Sequence, residues 1–168
     1  RYTRRKMVKE GLSMEILPAD QAMARFDALK QISDAWLTEK NTSEKGFSLG
    51  RFSEEYLRWF DMAVVSKNDS IVAFANLWKG ADNAELSIDL MRYDPALAPG
   101  GVMDYLFIEL MLWGRGKGYE WFDLGMAPLS GLADRSLAPL WNRLGGFLSR
   151  HGGHFYNFEG LRHYKDKF

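Results

Sequence analysis

The stretch from Met62 to Arg92 does most to limit what this chain can become. Apolar and β-branched residues fill 62–66, 71–78 and 84–92, and the gaps between them, Lys67-Asn68-Asp69-Ser70 and Lys79-Gly80-Ala81-Asp82-Asn83, are built from turn formers. The pattern predicts an antiparallel meander of three strands. A meander has two faces to cover, so the flanking segments must supply the covering layers.

Those segments carry helical and strand signals in a telling order. Before the meander, Leu12, Met14 and Ile16 alternate with Ser13 and Glu15, the period of a half-buried strand, and Pro18 stops it. Asp20 can cap a helix to about Lys40 with Phe26, Leu29, Ile32 and Trp36 inward, and Ser53 can cap another with Tyr56, Trp59 and Phe60 inside. After the meander, Met103, Leu106, Phe107, Leu110 and Met111 mark a helix from Val102 to about Trp113. A strand over 120–126, a helix over 136–150 and an aromatic strand over 155–158 complete the order. Two crossover helices after a meander predict a mixed sheet flanked by helices, an α/β or α+β fold in which strands following each helix can run parallel.

The 168 residues suit one domain, read here as 1–168. Zero cysteine removes disulfides, thiolate metal sites and a cysteine nucleophile together. Basic and acidic side chains balance at 22 each, which argues against a uniformly basic nucleic-acid binder. The balance is uneven in layout, since residues 1–9 hold five basic side chains and no acid, and 143–168 hold five more with all three histidines. The longest apolar-rich stretch, 102–113, is broken by Asp104 and Glu109 and is shorter than the roughly 20 residues of a membrane span. With no initiator Met, a start on Arg1-Tyr2-Thr3-Arg4-Arg5-Lys6 and an end on Lys165-Asp166-Lys167-Phe168, both ends read as cuts from a longer parent.

Several motifs invite chemistry. Gly114-Arg115-Gly116-Lys117-Gly118 follows a helix instead of opening one, so it reads as a helix stop with a basic turn and not as a phosphate loop. His151, His154 and His163 are too irregularly spaced for a zinc site without cysteine. Ser130, in Ala127-Pro128-Leu129-Ser130-Gly131, lacks the glycine of a nucleophile elbow and reads as a turn serine or a substrate-facing hydroxyl.

Two constellations are more informative. In Leu86-Ser87-Ile88-Asp89-Leu90-Met91-Arg92-Tyr93, strict alternation puts Leu86, Ile88 and Leu90 on one strand face and Asp89 with Ser87 on the other. Asp89 is then a partly enclosed carboxylate needing Arg92 or a cationic ligand, and Arg92, of opposite parity, meets it only if the strand ends or bulges near Met91. In Phe155-Tyr156-Asn157-Phe158-Glu159-Gly160-Leu161-Arg162-His163-Tyr164-Lys165, helical continuation would aim Glu159, Arg162 and Lys165 at one pocket. Arg and Lys there suit a phosphate and Glu an ammonium or a hydroxyl proton; a solvated basic terminus is the other reading.

These segments, with Phe74-Ala75-Asn76-Leu77-Trp78, Val102-Met103-Asp104-Tyr105-Leu106-Phe107, Leu124-Gly125-Met126-Ala127-Pro128-Leu129-Ser130-Gly131-Leu132 and Leu137-Ala138-Pro139-Leu140-Trp141, resemble the C-terminal catalytic domain of the multiple peptide resistance factor family, the aminoacyl-phosphatidylglycerol synthases. The resemblance runs from about residue 46 to the end, with 1–45 matching in outline. It implies an acetyltransferase-like (GNAT) fold, the second of a tandem pair, in a parent with a membrane-embedded region. It also implies transfer of an aminoacyl group from aminoacyl-tRNA to a glycerol hydroxyl of phosphatidylglycerol at the cytoplasmic face of the membrane. The outcome it implies is a less negative membrane surface and resistance to cationic antimicrobial peptides.

An aminoacyl ester is already activated, so no cofactor or metal is expected. Where a coenzyme A enzyme of this fold would carry a pyrophosphate loop, the chain reads Ala96-Leu97-Ala98-Pro99-Gly100-Gly101-Val102, without the pattern. Position by position, the resemblance singles out Asp89, Arg92, Glu159 and Lys165 as catalytic, and Arg162, Ser130 and Asp104 as substrate-binding. Glu159 or Asp89 would hold the donor's α-amino group or act as base; Arg92, Arg162 and Lys165 would bind lipid phosphate or the tRNA 3′ end; for Asp104, in a first helical turn, dipole stabilisation is the stronger reading. The rivals are a Fem-like transferase acting on a peptidoglycan precursor and a non-catalytic module that binds tRNA or a membrane surface through its basic ends.

Overall fold

A computed structural model of the chain describes residues 2–44, 50–124 and 167, and the helices and strands among these described residues lie in one unit, residues 1–123. The first element is a helix, α1 (Tyr2–Lys9), where the sequence reading had only a basic opening. Lys6 and Lys9 occupy its last turn, where cations favour the free carbonyls, and Met7 is buried. Gly11 (φ +82°) then turns the chain into β1 (Leu12–Leu17), with Leu12 and Leu17 buried and Ser13 and Glu15 exposed.

The one helix expected from Asp20 to about Lys40 is two, α2 (Ala19–Ala24) and α3 (Phe26–Glu39), which meet at Arg25 (φ −108°). Asp20 is not the cap. Pro18 holds that position with its fixed φ, and the first amide, Ala19 N, donates to Asp61 Oδ1 at 3.1 Å. Ser53 does cap, accepting from Tyr56 N at 3.3 Å, but α4 (Glu54–Leu57) is a single turn. Leu57 is its fully buried residue; Trp59, expected inside, lies past the helix end and is 77% exposed.

The meander forms as the spacing predicts. β2 (Met62–Lys67) and β3 (Ser70–Asn76) are joined at Asn68 and Asp69, both at positive φ (49° and 66°), the backbone twist that a two-residue hairpin turn requires. After Leu77 the strand resumes as β4 (Trp78–Lys79), and a 3₁₀ turn at Ala81–Asn83 leads to β5 (Glu85–Ser87) and then β6 (Met91–Tyr93). The helix after the meander, α5 (Val102–Gly116), runs past the expected end through Gly114, and Gly118 (φ +84°) follows it. β7 (Trp121–Asp123) then pairs parallel with β5, as a strand after a crossover helix should.

β1, β2, β3 and β6 make one antiparallel sheet in the order β1-β2-β3-β6, and β4, β5 and β7 make a smaller one in the order β4-β5-β7. Both faces of the larger sheet are covered. Leu17, Ala22, Leu29, Ile32, Leu57, Met62, Val64, Phe74 and Leu90 form a core beneath α2, α3 and α4. On the other face, α5 packs on β2 and β3 and clasps α1. A Cβ on Gly114 would lie 2.9 Å from Leu86 Cδ2, so glycine lets α5 approach the smaller sheet at van der Waals distance. Among the described residues no helix is long and apolar enough to cross a membrane. The helix expected over 136–150, the strand expected over 155–158 and the end of the strand expected over 120–126 lie outside the described residues.

Candidate active site

Where β4 faces β5, the ladder slips by one residue. Ala73, Phe74 and Ala75 pair with Tyr93, Arg92 and Met91, and Asn76 N continues the run by donating to Leu90 O at 3.0 Å. Trp78 and Lys79, however, pair with Ser87 and Leu86. Between these two registers Leu77 stands opposite two residues, Ile88 and Asp89, and the extra residue makes a β-bulge, a device that re-aims a side chain.

The bulge corrects the expected parity. Leu86 turns toward α5, but Leu90 belongs to the core beneath α3 and α4, so the row Leu86, Ile88 and Leu90 does not share one face. Asp89 is exposed, not partly enclosed, because it sits at the interruption and not within a strand. The slip also satisfies the condition under which Asp89 and Arg92 come to one side. Asp89 meets Tyr56 of α4, and Arg92 meets Trp36 of α3, which cover the same sheet face.

Asp89 is held from several directions. Its Oδ2 accepts a short hydrogen bond from the Tyr56 hydroxyl. Its backbone N–H donates to Asn76 Oδ1 at 3.2 Å, and the same oxygen accepts from Leu90 N at 2.8 Å. Gly50, at φ +75°, lies so close that a Cβ there would come within 2.8 Å of the Asp89 carbonyl oxygen. Burial pushes the Tyr56 hydroxyl up to about 12, helped by its hydrogen bond to Asp89 and that carboxylate's charge, while Trp78 and Asn76 act in the opposite direction. Tyr56 is therefore a proton donor throughout the physiological range.

The Tyr56 ring begins an aromatic row, with Phe60 centred 4.9 Å away and Trp78 5.0 Å beyond that. Lys79, next to Trp78, forms an ion pair with Asp61. Arg92 is more enclosed than Asp89, its side chain only 13% exposed. Its Cζ lies 4.3 Å from the Trp36 ring centre, Nη1 donates to Met91 O at 3.0 Å, and Nη2 reaches Glu44 Oε1 at 3.3 Å. The ion pair considered between Asp89 and Arg92 is thus replaced by two different partnerships. A stacked, hydrogen-bonded guanidinium is a fixed charge, suited to orienting a phosphate or carboxylate held at its edge. An exposed carboxylate on a rigid backbone suits an ammonium ligand or a hydroxyl proton.

Asp104 lies half-buried in the first turn of α5, as expected, whose N-cap is Gly101 (φ +96°) with no side-chain cap. Ser130, Glu159, Arg162 and Lys165 lie outside the described residues. Sequence reasoning missed Tyr56, which it placed in the core, and Asn76, Trp36, Glu44 and Gly50. Only Asn76 left a signal, as the one polar side chain in the apolar run 71–78.

Comparison with known proteins gives a consistent family. A family model described as "Phosphatidylglycerol lysyltransferase, C-terminal" matches residues 1–168. Phosphatidylglycerol lysyltransferase of Bacillus subtilis is 41% identical over 147 residues, covering 86% of this chain and 17% of that protein. The Staphylococcus xylosus enzyme of the same name is 35% identical over 169 residues, covering all of this chain and 20% of that protein. The chain thus spans about a fifth of the length of these relatives. Among solved structures, the C-terminal domain of a protein described as a lysylphosphatidylglycerol synthetase from Agrobacterium fabrum is 42% identical with a TM-score of 0.81, over 99% of this chain and 49% of that one. L-PGS from Bacillus licheniformis is 39% identical with a TM-score of 0.71, over 86% of this chain and 45% of that one. An aminoglycoside acetyltransferase from a soil metagenome, 16% identical with a TM-score of 0.52, shares the fold alone, which is acetyltransferase-like as expected.

Proposed function

The chain belongs to the family of phosphatidylglycerol lysyltransferase C-terminal domains, and on that premise we propose that it is the catalytic domain of an enzyme that moves an aminoacyl group from aminoacyl-tRNA to a glycerol hydroxyl of phosphatidylglycerol. The observation that carries this reading is Asp89, presented at the surface by a bulge and fixed by the Tyr56 hydroxyl. The reaction exchanges one ester for another. The lipid hydroxyl oxygen forms a bond to the aminoacyl carbonyl carbon, the bond to the tRNA ribose oxygen breaks, and the proton lost by the lipid hydroxyl ends on that ribose oxygen.

The protein has to hold the two substrates in line, steady the donor's ammonium, accept or relay one proton and balance the charge on the carbonyl oxygen. Asp89 or Glu159 holds the ammonium or serves as base. Arg92, fixed on Trp36, with Arg162 and Lys165, takes the phosphates of the lipid or the tRNA 3′ end. Ser130 and Asp104 contribute to substrate binding. In the parent the domain, 1–168, is the second of two GNAT-like units, works at the cytoplasmic face of the membrane and is joined to a membrane-embedded region. The relatives' names favour this reading over the Fem-like alternative.

The test uses the full-length parent in vesicles containing phosphatidylglycerol and, in a parallel arm, a lipid-linked peptidoglycan precursor, supplied with lysyl- or alanyl-tRNA, with products read by mass spectrometry. Aminoacylated phosphatidylglycerol is expected, and Asp89→Ala should lower its rate roughly 100-fold or more. A product appearing only on a peptidoglycan precursor, or an unaltered rate in the variant, overturns the assignment.

A further inference from the structure

Asn76 is one of two fully buried polar residues among those described, the other being Ser33 of α3. Its position in the chain explains why a polar side chain is retained in an apolar strand. It is the last residue of β3 before the register slips, and a bulge leaves backbone N–H groups without a ladder partner. Its Oδ1 accepts from both amides at that point, Asp89 N at 3.2 Å and Leu90 N at 2.8 Å, while its own backbone N–H donates to Leu90 O. One side chain thus replaces the missing rungs.

We infer that Asn76 is a positioning residue for the transfer reaction: by clamping the bulge through its side-chain oxygen it fixes the backbone from which Asp89 projects, while Tyr56 fixes the carboxylate end. The inference rests on the reading of Asp89 given above. Asn76 is fully buried and offers no surface to a substrate. Its Nδ2 makes no hydrogen bond of normal geometry among the described residues, though it draws the Tyr56 hydroxyl's pKa down; the bonds that hold the bulge are those of the oxygen. Losing that oxygen leaves two amides unpaired in a buried place and frees the bulge to shift, and a displacement of about 1 Å at a reacting group can cost on the order of 100-fold in rate.

The experiment measures kcat and KM for aminoacyl-tRNA in the full-length parent on phosphatidylglycerol vesicles, with tRNA binding counting the folded fraction. Asn76→Leu, of similar volume and lacking the acceptor, is expected to lower kcat per folded molecule about 10–100-fold while KM changes less than about twofold. Asn76→Thr, whose hydroxyl keeps a neutral acceptor oxygen at this buried position, is expected to retain kcat within about fivefold. Combined with Asp89→Asn, Asn76→Leu is expected to add little further loss, because both changes act on one group. Unchanged kcat in Asn76→Leu, or a full multiplicative loss in the double variant, overturns the inference while leaving Asp89 in place. If Asn76→Leu fails to fold, a tenfold or greater loss of kcat in folded Asn76→Thr overturns it. If Asp89→Ala itself leaves transfer intact, the site reading falls, and this inference with it.

Discussion

Tyr56 holds its proton because burial disfavours the phenolate, and the hydrogen bond to Asp89 and that carboxylate's charge add to the effect. Two expectations follow at this scale. Removing the hydroxyl in Tyr56→Phe frees the Asp89 carboxylate to rotate, and transfer should slow roughly tenfold in the vesicle assay, with tRNA binding unchanged. The same hydroxyl also ties stability to alkaline pH. A folded-state pKa raised to about 12, above the ordinary value near 10, contributes stability that is complete below about pH 10 and lost as pH rises through about 12. Urea midpoints of the wild type should therefore fall faster than those of Tyr56→Phe between those limits, and parallel curves would remove the link. Arg92 illustrates the opposite arrangement, a cation made rigid by a ring, a carbonyl and a carboxylate, so that Trp36 is part of what this arginine can do.

Single turns can matter more than long helices. α4 is four residues, yet it delivers both Leu57 to the core and Tyr56 to Asp89, and its start depends on the Ser53 hydroxyl. Ser53→Ala should cost about 1 kcal/mol and Leu57→Ala about 2–5 kcal/mol, both read from urea unfolding. The second is larger because a fully buried leucine leaves a cavity, whereas a cap can be replaced by water. Much of this level was legible in the sequence. The meander, the hairpin residues Asn68 and Asp69, the Ser53 cap and the long helix after Pro99-Gly100-Gly101 all follow from period and turn chemistry, which are local properties. The break at Arg25, the short α4 and the helix at Tyr2–Lys9 do not, because each depends on what lies opposite: Asp61 takes the first amide of α2, and α5 gives α1 a surface to pack on. The bulge could be named only as a condition for bringing Asp89 and Arg92 together, and not located, for a related reason. Alternation in 86–92 reads as one uninterrupted strand until the partner strand shows that it has one residue fewer.

Among the described residues, a number of the opposite charges meet in pairs. Lys30 with Asp34, Arg25 with Glu15 and Arg4 with Glu109 are exposed or half-exposed pairs of small energetic weight, so burial decides how the layers hold. α1 is the clearest case. Its Met7 is 1% exposed beneath α5, while Arg4 reaches Glu109 through two nitrogens at the surface. Met7→Ala should lower unfolding free energy by about 2–5 kcal/mol. Arg4→Ala should have a much smaller effect that disappears at high salt, and urea titrations at two ionic strengths separate the two.

The one-residue slip opposite Leu77 gives the chain an unusual sensitivity to its own length. Deleting Asp89 outright would leave Ile88 facing Leu77, apolar against apolar, and restore an unbroken ladder from Tyr93 to Glu85; such a variant should fold at least as firmly as the parent and transfer nothing. Deleting Ile88, one position earlier, would set Asp89 opposite buried Leu77 and drive a carboxylate toward α5, which should cost several kcal/mol. Two neighbouring codon deletions, indistinguishable in composition beyond a single residue, would thus part ways, one yielding a sound scaffold without a reaction and the other a damaged scaffold.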